Sequence, residues 1–508
     1  MYRYIGKLKS QKSKLKTLSL KTKGLRQRLT DHWGVYLLML VFGAIYAFWS
    51  VTRHQHFQTD AIDLGIFDQP MWYWSRFQTP LSTIKYNQFP GEHILGDHFH
   101  PILIPISYIF WLWNDVRALL IVQAIFVALA AYPIYKLAVK VLKEKALALA
   151  VAFAYLAFIG VQTAIDFDFH EIALATLPLA WALYFLATDQ NRKYGAAFLI
   201  GLLFKENMPL IFLMVGVVAA LKFKKRRLGL ATIIISVVYY WLVTEKFIPY
   251  FKHDQFAYEH LDPLLGRTTG DLIRVTLTRP WVTLKVLVNP ILKFKTIVNY
   301  FASFGFLPLL DPISSLLVLP NFAARFLTEL PQRWLIRYQY SVILGPMLAF
   351  ASIYGTRVVQ KIGGKLGISR VVRYALPVIL ILCPMIQTYR TNAPLIRVLN
   401  PDSYRWEERF DTNRRLLGMI PKDASVMAQS SFVPHLTHRP EIYRYEDTLL
   451  GQTRPDYILM SLDEASDPPY IREQLEERIE TLRTRPDYEV LYWDGVRLLI
   501  EKKSDGAN

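Results

Sequence analysis

The sequence predicts an α-helical polytopic membrane protein carrying a small α/β domain at its C-terminal end. Three observations carry that reading. Of 508 residues, 53% are hydrophobic, and they gather in long uncharged runs that a soluble chain of this size does not show. Short basic loops alternate with those runs, and four clusters of ionisable residues interrupt them. Beyond about residue 400 the composition turns charged and proline-spaced, with short alternating runs.

Taken in order, residues 1–33 form a basic tail. Residues 1–30 hold ten Lys/Arg and no acid, which is over half of the net charge of +18. The uncharged run Gly34–Val51 follows, with Trp33 and Trp49 as interfacial anchors. Tail, run and tryptophans describe a cytoplasmic N-terminus and a first span, so the basic excess is topological and no nucleic-acid partner is expected. The tail is long and no small-x-small site follows the run, which argues against a cleaved signal peptide.

Residues 34–395 form the membrane module of a multi-pass protein of the cell (inner or plasma) membrane. The basic segments 136–145, 189–195, 222–227 and 357–373 read as cytoplasmic loops. Spans are expected near 116–136, 145–164, 171–188, 228–246, 340–356 and 373–389. Residues 195–221 leave and return in about 27 residues where two full crossings need roughly 40, which predicts short helices meeting at Lys205-Glu206-Asn207. Pro308 and Asp311-Pro312 break 298–320 into a hairpin or re-entrant pair. The total comes to about 9–11 spans.

The first outer loop, 52–115, contains Met71–Trp74 and Ile102–Trp113, aromatic apolar pieces too short to cross and suited to the headgroup layer. A second outer region, 247–297, carries His253, Asp254, Tyr258, Glu259 and His260. Residues 400–508 read as an extracytoplasmic α/β domain. Its strands are expected at 425–429, 441–445, 456–460, 489–493 and 496–501, and its helices at 405–418 and 470–484. The single cysteine, Cys383, rules out a disulfide framework and a cysteine zinc site.

The four clusters are Asp60-Asp63-Asp68, Asp97-His98-His100, Asp166-Asp168-His170-Glu171 and Lys205-Glu206. Ionisable groups are costly beside hydrocarbon unless they line a site, and the topology puts all four on the outer face. On a continuous helix Asp60, Asp63 and Asp68 fall roughly on one face, and a partly desolvated carboxylate there suits a general base. The competing reading is a solvated loop or a helix cap. His98, His100, His170 and Glu171 mix imidazole with carboxylate, and a divalent metal is the candidate cofactor, with Asp63, Asp97, His98, Asp166 and Asp168 as candidate ligands. Capping of the span at 171 is the plainer account of Asp166 and Asp168; the functional account is a polar path for a leaving phosphate, with Asp166, Asp168, His170, Glu171, His98 and His100 as substrate- or phosphate-binding groups. Lys205 suits a lipid phosphate held by a point charge; its plainer account is snorkelling. Arg333, Arg337 and Tyr338 are secondary phosphate candidates, better read as interfacial anchors.

The strings DLGIFDQPMW, GDHFHPILIPISY, DFHEIAL, LLFKENMPL, RYQYSVILGPML and IPKDASVMAQSSFVPHLTHRPEIY resemble the bacterial "domain of unknown function 2079" family of predicted membrane proteins, over most of the chain from residue 35 onward. That family is in turn similar to the GT-C membrane glycosyltransferases, which take sugars from polyprenyl-phosphate carriers at the outer leaflet. The resemblance implies a GT-C-like module in which Asp63 is the catalytic base, Asp60 or Asp68 its substitutes, and Lys205 with Glu206 a phosphate-binding pair. It also makes Asp166 and Asp168 the second acidic loop. Leu64 stands where such loops often carry Glu, and Asn207 where the lysine turn often carries Asp. The expected function is transfer of a sugar from a polyprenyl-phosphate carrier to an envelope acceptor whose identity the residues do not name. The alternatives are a non-catalytic carrier-binding envelope protein or a lipid or sugar transporter; a transporter should show midplane charges and paired repeats, and neither is evident.

Overall fold

A computed structural model describes residues 32–85, 93–253, 261–266, 268–464 and 471–503. The basic tail up to residue 31 and the group 254–260, which includes Asp254, Tyr258, Glu259 and His260, lie outside the described residues.

Five helices are long and apolar enough to cross a bilayer: His32–Gln55, Arg117–Leu142, Arg226–Lys252, Gln339–Lys365 and Ser369–Arg390. A sixth is the pair Lys145–Leu156 and Ile159–Ile165, bent by 43° where Phe158 adopts an extended ψ of 132°. Glu171–Ala187 and Met208–Leu221 are shorter apolar helices, and Asn191–Leu202 and the broken stretch from Ile291 to Phe326 lie among them, so five or six spans meet the length of a full crossing where 9–11 were expected. Helices Asn191–Leu202 and Met208–Leu221 meet in a turn at Phe204–Asn207, as the residue count between basic loops requires. Outward faces such as Leu230, Ile234, Val237 and Trp241 stay exposed at helical spacing, the pattern of a surface in contact with hydrocarbon. The chain is a multi-pass membrane protein.

Contacts between the basic connections show that they share one end. Lys225 Nζ lies 2.8 Å from Asp189, Arg373 lies 3.6 Å from Glu144, and Lys222 reaches Asp311 at 2.6 Å while sitting over the Tyr354 ring. The acidic clusters gather at the other end. There the turn at Gly96 abuts the backbone of Lys252, and Gln339 meets His170.

At that same end sits the C-terminal domain. Its sheet has β1 (Val426–Ala428), β2 (Ile442–Arg444), β3 (Tyr457–Ser461), β4 (Tyr488–Trp493) and β5 (Arg497–Lys502) in the order β2-β1-β3-β5-β4. β1 pairs in parallel with β2 and β3, and β5 pairs antiparallel with β3 and β4. Gly495, at φ +86°, closes the β4–β5 hairpin where a side chain would strain. Helices Glu408–Met419 and Arg472–Arg483 accompany the sheet. Met427, Ile458, Leu498 and Ile500 form its own apolar core with Leu475 and Ile479.

Candidate functional site

The four clusters meet in one belt of ion pairs and hydrogen bonds. Asp60 caps a π-helical turn, Ala61–Gly65. One carboxylate oxygen accepts the Ile62 N–H at 2.8 Å, and the other accepts the Ser430 hydroxyl at 2.8 Å. Its own N–H donates to Asp168 Oδ2 at 2.7 Å. Asp168, at φ +63° and buried, takes the Arg53 guanidinium on its other oxygen at 2.9 Å. Asp166 accepts the Trp49 indole N–H at 2.9 Å and pairs with Arg397. This knot ties the end of the first span to the 166–171 loop and to the segment after the last span. Burial pushes the Asp168 carboxyl up to about 6; Arg53 opposes that rise and the nearby charge of Asp63 adds to it.

Asp63 is a partly open carboxylate, with 23% of its side chain exposed against 4% for Asp168. Its Oδ1 lies 3.2 Å from His170 Nε2. That ring nitrogen also lies 2.9 Å from the Gln339 amide. Nε2 thus stands between a carboxylate that can only accept and an amide NH2 that can only donate, and the tautomer decides which of the two it bonds. The loop that presents it is clipped to the second long span: Gln123 accepts the His170 N–H at 2.7 Å and donates to the Asp168 carbonyl at 2.6 Å.

Lys205 and Glu206 diverge from their turn. Lys205 Nζ reaches Glu171 Oε1 at 2.6 Å, and Glu171 is fully buried with Oε2 unpartnered among the described residues. Glu206 accepts from His98 Nδ1 at 3.0 Å and from the Phe99 N–H at 3.3 Å. Burial works against the Lys205 ammonium, yet Glu171 and Glu206 hold its pKa above the ordinary lysine range. Burial likewise opposes the charged forms of His98 and Glu206, but each raises the other's charge: His98 goes up and Glu206 down. Asp97 closes the belt by pairing with Lys85. His100 is buried against Phe67 and Trp74 with both ring nitrogens unpartnered among the described residues, and burial drops it to about 4. Tyr340 stands within electrostatic range of both Lys205 and Asp63.

Two expectations change. Asp60, Asp63 and Asp68 do not share a face, because the π turn underwinds the chain between them. Asp60 and Asp63 turn to the 166–171 loop, while Asp68, fully buried, turns to the C-terminal domain and binds Thr437 and His438. The candidate metal ligands Asp63, Asp97, His98, Asp166 and Asp168 do not converge. Each is taken by a cation or a separate partner, and no three His, Cys, Asp or Glu groups among the described residues are arranged to hold a metal ion. Arg53, Gln123, Gln339, Arg397 and Lys85 join the belt without having been singled out from the sequence. Arg337 bonds to the Tyr338 hydroxyl at 2.8 Å, and Tyr338 packs on Phe167 at the belt's edge.

Beside the belt lies an apolar groove of about 540 Å³ whose walls include Ile102, Phe126, Trp181, Phe185 and Ile200. One end carries Lys193, in the basic segment 189–195; the other carries Phe204, the neighbour in sequence of Lys205. The groove thus follows helix Asn191–Leu202 and ends one residue before Lys205, whose own side chain pairs with Glu171.

Two solved structures resemble nearly the whole chain. They are the crystal structure of ArnT from Cupriavidus metallidurans bound to undecaprenyl phosphate, at 12% identity and a TM-score of 0.53, covering 93% of this chain and 99% of that one, and the same protein in the apo state, at the same identity and score, with 98% of it covered. At that identity the likeness is one of fold, and it is the GT-C-like architecture. No curated protein matches the sequence. The family described as "Predicted membrane protein (DUF2079)" matches residues 53–498, and the chain belongs to that family.

Proposed function

We propose that this protein is a membrane glycosyltransferase that moves a sugar from a polyprenyl-phosphate carrier to an envelope acceptor at the outer face of the cell membrane. In this reading the basic end, with the N-terminus, faces the cytoplasm and the belt and C-terminal domain face outward, as the positive-inside rule supports. The observation that carries the reading is the apolar groove ending at Phe204, the residue before Lys205, together with the Lys205 ammonium and the Asp63 carboxylate along one belt. A long apolar chain suits the groove, and a phosphate suits the ammonium. A lipid phosphate is what ArnT holds in the likeness of fold.

In this reading Asp63 accepts the proton of an acceptor hydroxyl, with His170 beside it to stabilise or relay the charge. The hydroxyl oxygen attacks the anomeric carbon, the bond from that carbon to the phosphate oxygen breaks, and polyprenyl phosphate departs with the electron pair. Lys205 offsets the charge that develops on the leaving phosphate. Asp168 and Asp166 position: they hold Arg53, Arg397 and the loop that presents His170.

The experiment is Asp63→Asn in proteoliposomes supplied with a panel of polyprenyl-phosphate-linked sugars. Transfer should fall about 10²–10⁴-fold, the usual contribution of a general base, while carrier binding is kept. Full transfer by that variant overturns the assignment. Carrier binding without transfer in the unsubstituted protein, across the panel, supports a non-catalytic carrier-binding protein instead.

A further inference from the structure

A second pocket, of about 440 Å³, opens where the C-terminal domain meets the first outer loop. Its walls include His54 from the end of the first span, Asp115 and Arg117 from the start of the second, and Arg414, His435 and His438 from the C-terminal domain. None of these belongs to the Asp63–Lys205 belt. Arg53 faces the belt and its neighbour His54 faces this pocket.

The charge in the pocket is not balanced. Asp115, the one acid among these residues, is taken: it accepts Arg117 Nε at 2.7 Å and NH2 at 2.5 Å, and caps the Arg117 backbone N–H at 2.9 Å. That fork leaves Arg117 NH1 uncommitted among the described residues. Arg414 is stacked on the Trp406 ring at 4.3 Å and has no carboxylate partner among the described residues. The imidazoles add donors. His435 Nε2 is buried with no hydrogen-bond partner among the described residues, and its ring stacks on that of His54 at 4.0 Å. His438 is fixed by the fully buried Asp68, which holds its Nε2 at 3.1 Å and leaves Nδ1 as the ring nitrogen open to a ligand. Parallel stacked rings do not point their lone pairs at one centre, so a metal cation does not fit. Two guanidiniums and hydrogen-bonding imidazoles facing one committed carboxylate suit an anion.

We propose that this pocket is a second ligand site, which takes the phosphate or carboxylate group of a molecule arriving from the water side. Arg414 supplies the uncompensated charge, held in place by Trp406, while Arg117 and His438 supply directed hydrogen-bonding groups. The proposal stands apart from the transfer reading; where both hold, the pocket anchors a negatively charged acceptor. Its test reads binding and not transfer, so the two fail separately.

The experiment uses the full chain in phosphatidylcholine nanodiscs, titrated with inorganic phosphate and followed by ³¹P line broadening and thermal shift. Phosphate, a hexose phosphate and a hexuronate should compete with one another, and an uncharged hexose should not. Arg414 is exposed, so Arg414→Gln should leave the melting temperature without ligand unchanged and weaken phosphate binding by about tenfold or more. Arg415→Gln, at a neighbour that packs on Tyr492 instead, should bind as the unsubstituted chain does. Displacement of phosphate by phosphatidylglycerol in the disc identifies a lipid headgroup as the source, and displacement only by the hexose phosphate identifies a soluble or glycan source; both support the anion site. Phosphate binding that survives Arg414→Gln unchanged, equal binding of the uncharged hexose, or no binding at all overturns it.

Discussion

Replacing Lys205 by Met tests whether the belt is a desolvated electrostatic structure or a set of solvent-screened contacts. Lys205 Nζ lies 2.6 Å from Glu171 Oε1, Glu171 is fully buried, and its second oxygen has no partner among the described residues. Removing the ammonium takes away the carboxylate's ion-pair partner inside the protein, a loss that costs about 3–5 kcal/mol when a buried pair is broken from one side. Removing both partners, as in Lys205→Met with Glu171→Leu, takes away the uncompensated charge and should restore stability to within about 1–2 kcal/mol of the starting protein. The assay is equilibrium unfolding in detergent, read as a double-mutant cycle. His100 gives an independent readout. Its pKa near 4 reflects burial first, with Glu171 raising it and Lys205 among the groups lowering it. In Lys205→Met the lowering contribution goes and the raising one stays, so the His100 titration seen by NMR should move up. A single variant that loses under about 1 kcal/mol, with His100 unmoved, refutes the buried pair and removes the ground for placing a lipid phosphate at Lys205.

Three other outcomes follow from the same geometry. His100 titrates at about 4 when folded and at 6.5 ordinarily, so the unfolded chain binds more protons between those values; stability from this group is full above pH 6.5 and falls by about 3 kcal/mol as pH drops to 4, a slope that His100→Gln should flatten in denaturation measured against pH. Thr437→Val strips a hydroxyl from the buried Asp68 and should cost about 1–3 kcal/mol, read as faster proteolytic release of the C-terminal domain. A methyl added at Gly229 would lie 2.5 Å from the Gly216 carbonyl oxygen, so Gly229→Ala should push apart helices Met208–Leu221 and Arg226–Leu242 at a cost of about 1–3 kcal/mol, whereas Gly195→Ala, with open space around it, should be neutral or slightly stabilising in the same unfolding assay.

What the sequence made legible was whatever rests on local arithmetic. The strands of the C-terminal sheet fall within a residue or two of their expected places, because each is a short apolar run cut off by Pro, Gly or Asp. The lysine turn was legible because 27 residues cannot make two full crossings. The partners across the belt were not, since they depend on contacts such as Arg397 with Asp166, which are 231 positions apart. Asp68 pointed elsewhere than expected because one π turn redirects everything after it. Gln123 and Gln339 escaped for a different reason. A search for ionisable residues in apolar spans passes over neutral amides, yet these two are buried at the helix ends that face the belt and position His170 from both sides. In a membrane an amide costs less to bury than a charge but still demands a partner, so a lone Gln near the end of a span marks a fixed contact in the site. By that criterion Gln162 is a third such marker. It is buried in the bent span, bonded to Thr388 at 2.6 Å and to the Leu395 N–H at 3.2 Å, and it locks the last span beside Arg397 and thereby sets where Asp166 can sit.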